Sequence, residues 1–67
     1  MIKISVNGEE CEMAHGISIG ELLKSKNYEI KYIAVEHNGS VIMPAVYEQT
    51  ILCEGDKIEI VRFVGGG

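Results

Sequence analysis

Four groups of residues in this 67-residue chain could do chemistry. Cys11, His15, His37 and Cys53 carry metal-ligating types, yet their spacings match no known local zinc-ligand pair, and two cysteines fall short of the four that an iron–sulfur cluster needs. The cysteines read as buried free thiols among apolar neighbours, and the histidines as surface or half-buried residues near turns. Ser5, Ser18, Ser25 and Ser40 each have an adequate structural role in a strand, cap, helix end or turn, which leaves no nucleophile with a base beside it. Glu9, Glu10, Glu12, Glu54 and Asp56 read as solvated strand faces and turns. No metal site is expected.

The fourth group is the end of the sequence, Val61-Arg62-Phe63-Val64-Gly65-Gly66-Gly67. Terminal glycines are often mere disorder, but their physical properties also suit a delivery arm. A segment without Cβ atoms is thin and conformationally free, so it threads a channel that bulkier residues would block. From Val64 to Gly67 such an arm reaches about 13 Å when extended. The Gly67 carboxylate is ionised at neutral pH and is a poor electrophile. Joined to AMP it becomes a mixed anhydride with a good leaving group, which a sulfur nucleophile can displace to leave a thiocarboxylate. Val61, Phe63 and Val64, beside the arm, are candidate partner contacts.

The elements that would hold this arm are legible from periodicity. Ile2, Ile4 and Val6 alternate with Lys3 and Ser5, as in a strand with one buried face. Asn7-Gly8 suits a tight hairpin turn leading back through a strand at Glu9 to Met13, with Cys11 and Met13 inward. Ser18 and Glu21 form a capping box, Ile17 and Leu22 a hydrophobic staple, and Ile19, Leu22 and Leu23 one apolar stripe, which predicts a helix from Ile19 to Ser25 or Lys26. Strands are predicted at Tyr32 to His37 and Ser40 to Met43 around a second Asn-Gly turn, with Pro44 closing the latter. A turn of tight helix is expected near Val46 to Gln49, and a last strand at Lys57 to Phe63 after the turn Glu54-Gly55-Asp56. The order β-β-α-β-β-β implies an α+β mixed sheet covered on one face by one helix, its first and last strands parallel at the centre. Residues 1–64 form the domain and 65–67 a flexible glycine tail.

Composition excludes other classes. Ten acidic against six basic side chains give a formal charge of −4, a field that repels nucleic-acid backbones and anionic lipid. No apolar stretch approaches the roughly 20 residues of a membrane span, and the alternating N-terminus lacks the build of a signal peptide, so a cytoplasmic protein is expected. With 46% hydrophobic residues and one proline the chain belongs with folded proteins.

The whole chain resembles the sulfur carrier proteins of thiamine biosynthesis, most specifically in the Asn38-Gly39 turn with Pro44 after it, in Glu54-Gly55-Asp56-Lys57-Ile58-Glu59-Ile60-Val61, and in the ending Phe63-Val64-Gly65-Gly66-Gly67. It departs from the family pattern at Ala45 and Val46, and at Tyr47, where tryptophan is common. The resemblance implies a β-grasp, ubiquitin-like fold and a carrier rather than an enzyme, with no bound cofactor. It implies that a partner adenylyltransferase uses ATP to activate Gly67, that a donor such as a cysteine desulfurase relay supplies the sulfur, and that thiazole synthase receives it. Gly65 and Gly66 would let the tail enter both partners. Carriers for molybdopterin synthesis or tRNA thiolation, and ubiquitin-like modifiers that form isopeptide bonds, share this ending chemistry and remain alternatives.

Overall fold

A computed structural model of the chain describes residues 1–63. Its strands are β1 (Ile2–Val6), β2 (Glu9–Met13), β3 (Ile33–His37), β4 (Ser40–Ile42) and β5 (Lys57–Arg62), with one helix, α1 (Ile19–Ser25), between β2 and β3. Short 3₁₀ turns at Ile30–Tyr32 and Pro44–Gln49 flank the β3–β4 hairpin. The second was expected from sequence, though it begins two residues earlier than predicted; the first replaces the predicted start of a strand at Tyr32.

The sheet runs in the order β2-β1-β5-β3-β4. β5 pairs in parallel with β1 through Ser5↔Lys57 and Val6↔Ile58, and antiparallel with β3 from Ile33↔Arg62 to His37↔Ile58. This is the β-grasp arrangement expected from the element order. Both hairpins turn on Asn-Gly pairs whose residues all have positive φ: Asn7 at 50°, Gly8 at 84°, Asn38 at 51° and Gly39 at 88°.

The two asparagines also reach across to β5. Asn7 Oδ1 accepts from the Ile60 N–H at 2.7 Å, and Asn38 Oδ1 accepts from the Lys57 N–H at 2.8 Å. Backbone donors of the central strand that the ladders leave free are thereby satisfied.

α1 is seven residues long and could not persist alone. It is started by the predicted capping box, in which the Glu21 N–H donates to Ser18 Oγ at 3.1 Å and the Ser18 N–H donates to Glu21 Oε1 at 3.0 Å. Its N-terminus is pinned from the side, since the Ile19 N–H donates to Thr50 O and the Leu52 N–H to Ile17 O, each at 2.9 Å. Burial then holds it: Ile19, Leu22 and Leu23 are fully enclosed against Ile4, Val35, Ile58 and Tyr47, each such side chain worth about 1.5–3 kcal/mol. Tyr47, 1% exposed, therefore fills the core and is not a partner contact.

Candidate functional site

β5 positions the candidate site because it is hydrogen-bonded on both edges and ends at the rim of the sheet. Alternation along it sends Ile58 and Ile60 into the core, and Glu59 and Val61 to the outward face. Val61 is 54% exposed and Phe63 56%. Phe63 is held in place by its backbone, whose N–H donates to Tyr32 O at 2.8 Å. Its ring borders a groove of about 830 Å³ with Tyr28, Ile30, Val41, Met43 and Pro44. Next to it the Arg62 guanidinium lies over the Tyr28 ring, 5.0 Å from the centroid. Val64, Gly65, Gly66 and Gly67 lie outside the described residues.

The other polar residues are arranged differently from their expected places. Asp56 is no solvated turn residue: it is 8% exposed and its carboxylate is the hub of a polar knot at the start of β5. The Cys53 N–H donates to Oδ2 at 2.9 Å, Asn38 Nδ2 donates to Oδ1 at 3.1 Å, and His37 Nε2 meets Oδ2 at 2.9 Å. Burial by itself would raise the Asp56 carboxyl, but the bonds from His37, the Cys53 backbone and Asn38 outweigh it, and the group is held below its ordinary value. His37 is thus half-buried and engaged in tying β3 to the turn before β5.

The cysteines correct a further expectation. Cys53 is exposed rather than buried and Cys11 only partly buried; both are free thiols. Position 53 lies outside the strands, so apolar neighbours in sequence do not translate into apolar neighbours in space. Among the described residues no group of three or more His, Cys, Asp or Glu side chains is placed to hold a metal ion. Nor is any helix of the described residues long and apolar enough to cross a membrane.

Sequence reasoning missed the polar knot and one pair on the outward face, Glu36 of β3 directly opposite Glu59 of β5. The only signal was the placement of Asp56 three residues beyond Cys53, a spacing at which a side chain can bond back to a turn N–H.

A model of the ThiS family matches residues 4–67. The chain belongs to the ThiS family. The sulfur carrier protein ThiS of Bacillus subtilis is 38% identical over 65 residues, which cover 96% of this chain and 98% of that one. A thiazole synthase of Paramagnetospirillum magneticum is 35% identical over 66 residues, 98% of this chain. This chain spans only 20% of the length of that protein. The crystal structure of the thiamine biosynthesis protein (ThiS) from Geobacter metallireducens superimposes with a TM-score of 0.84 at 32% identity, covering 98% of this chain and all of that one. The ThiS match thus extends through the glycines and through the β-grasp domain that leads to them.

Proposed function

We propose that this ThiS-family chain is a cytoplasmic sulfur carrier of thiamine biosynthesis whose working group is the Gly67 carboxylate. A partner adenylyltransferase joins that carboxylate to the α-phosphorus of ATP, and pyrophosphate leaves. A sulfur nucleophile from a cysteine desulfurase relay then attacks the acyl carbon and displaces AMP, the relay's thiols supplying the electrons that bring its persulfide sulfur to the level of sulfide. The resulting thiocarboxylate gives its sulfur to thiazole synthase. In this scheme the chain catalyses nothing: β5 presents the arm, Gly65 and Gly66 admit it to narrow active sites, and Val61, Phe63 and Val64 hold the partner.

The observation that carries the reading is the family match running unbroken through Gly65, Gly66 and Gly67. The exposed rim at Val61 and Phe63 supports it. A thiazole synthase that includes a stretch 35% identical to this chain supports the pairing with that enzyme. The test is the intact mass of protein incubated with the adenylyltransferase, ATP and the sulfur relay. One oxygen replaced by one sulfur is expected in the full chain, and no such change in a chain lacking Gly66 and Gly67 whose circular dichroism is unaltered. Equal sulfur loading of the truncated chain would overturn the proposal.

A further inference from the structure

Both hairpins turn on Asn-Gly, the dipeptide in which an asparagine side chain is most open to attack by the next backbone nitrogen, because glycine sets no Cβ beside that nitrogen. An added Cβ would meet nothing within 4 Å at Gly8 or at Gly39, so the space around the two nitrogens is equally open. Neither glycine N–H donates to a carbonyl among the described residues.

The two asparagine side chains differ. Asn38 is held at both ends: its Oδ1 accepts from the Lys57 N–H at 2.8 Å, and its Nδ2 donates to Asp56 Oδ1 at 3.1 Å. Asn7 is held at one end only. Its Oδ1 accepts from the Ile60 N–H at 2.7 Å, while its Nδ2 makes no hydrogen bond among the described residues. A donor at Oδ1 polarises Cγ and stabilises the negative oxygen of a tetrahedral intermediate formed there, as an oxyanion-hole donor does. At Asn38 that help is opposed twice. The leaving nitrogen is tied down by a charge-assisted bond, and the Asp56 carboxylate repels the negative charge that develops beside it.

We propose that Asn7 is a site of spontaneous deamidation in the folded chain, and that Asp56 protects Asn38 from the same reaction. The Gly8 backbone nitrogen attacks Asn7 Cγ: the N–Cγ bond forms, the Cγ–Nδ2 bond breaks, and Nδ2 leaves as ammonia with the proton of the Gly8 N–H. Water then opens the cyclic imide. Cleavage at Cγ leaves an ordinary aspartate at position 7, whose carboxylate still accepts from the Ile60 N–H. Cleavage at the main-chain carbonyl leaves an isoaspartate, which adds a methylene to the backbone of the turn that sets the β1–β2 register and moves the acceptor away from Ile60. The proposal stands independently of the carrier reading, although the second product loosens β5 just ahead of Phe63.

The test is incubation of the full chain in warm neutral buffer, folded and in urea, with its tryptic peptides mapped by mass at intervals. Asn7 and Asn38 fall on separate peptides, residues 4–24 and 32–57, and fragmentation places the amide-to-acid change within each. Labelling with an isoaspartyl methyltransferase reads the isoaspartate. In the folded chain Asn7 should convert about tenfold or more faster than Asn38, the difference expected for one charge-assisted bond to the leaving group. In urea the two should convert at similar rates, which assigns the protection of Asn38 to the fold and not to its sequence neighbours. Asp56→Asn, shown to be folded by circular dichroism, should release Asn38 to about the rate of Asn7. Equal rates at the two positions of the folded wild type would overturn the proposal, as would an Asn7 that stays intact in the folded chain while converting in urea. An Asn38 still protected in folded Asp56→Asn would overturn the role given to Asp56.

Discussion

Replacing Asp56 by alanine tests whether the polar knot holds β5 in place. The carboxylate accepts from the Cys53 N–H at 2.9 Å, from Asn38 Nδ2 at 3.1 Å and meets His37 Nε2 at 2.9 Å, so Asp56→Ala removes three charge-assisted contacts at a site with little solvent. Hydrogen bonds to charged groups contribute about 1.5–3 kcal/mol each, and each donor left without a partner adds a desolvation cost. Water entering the vacated space recovers part of this, which leaves an expected loss of about 2–4 kcal/mol. In a domain of this size 1 kcal/mol corresponds to a melting shift of about 4–8 °C, so the transition should fall by some tens of degrees or vanish. Thermal and urea unfolding followed by far-ultraviolet circular dichroism at pH 7 measure it.

The pH dependence gives a second reading of the same group. Because the folded carboxyl lies below its unfolded value, its stabilisation is fully present above the ordinary carboxylate range and is lost as pH falls through the depressed folded value. The gap between wild type and Asp56→Ala should therefore be widest at neutral pH and close below about pH 4. A variant within about 0.5 kcal/mol of wild type at pH 7 would refute the reasoning, since only substitutions away from such features behave that way. So would a gap that stays constant down to acid unfolding.

Two further substitutions probe how the sheet and core are secured. Asn7→Gly keeps the positive φ of the first turn but deletes the acceptor of the Ile60 N–H; urea unfolding should show a loss of about 1–2 kcal/mol with an unchanged slope. Tyr47 is buried and its hydroxyl is pushed above the ordinary 10.0, so its contribution is complete below pH 10 and is lost as pH rises toward the folded value. Unfolding at alkaline pH should accordingly show a shallower loss of stability in Tyr47→Phe than in wild type.

How far the sequence carried depended on how local the determining forces were. The alternation of Ile2, Ile4 and Val6, the Asn-Gly turns and the capping box of Ser18 and Glu21 act within a few residues, and the structure places each where it was expected. The parallel pairing of β1 and β5 followed from element order. Hidden from sequence were contacts that only the closed sheet creates: His37 meets Asp56 across 19 positions, and Asn7 reaches Ile60 across 53. The facing of Glu36 and Glu59 was hidden in the same way, because nothing local reveals that β3 and β5 bring them opposite each other. Cys53 was misplaced for a related reason, since burial there is decided by the path of the turn and not by the neighbours Leu52 and Ile51. Near the chain's end, the exposure of Val61 and Phe63 agrees with the alternation along the last strand.

The pairing of β5 has a mechanical consequence. A partner that grips the far end of this strand pulls along the ladders on both of its sides, so the bonds to β1 and β3 share the load in shear instead of opening one by one. The Ser5 N–H to Asp56 O and Asn7 N–H to Ile58 O links resist from one flank, and the β3 register resists from the other. The body can therefore act as a stiff handle: a load applied at the end of β5 meets both flanking ladders at once, and neither can unzip alone.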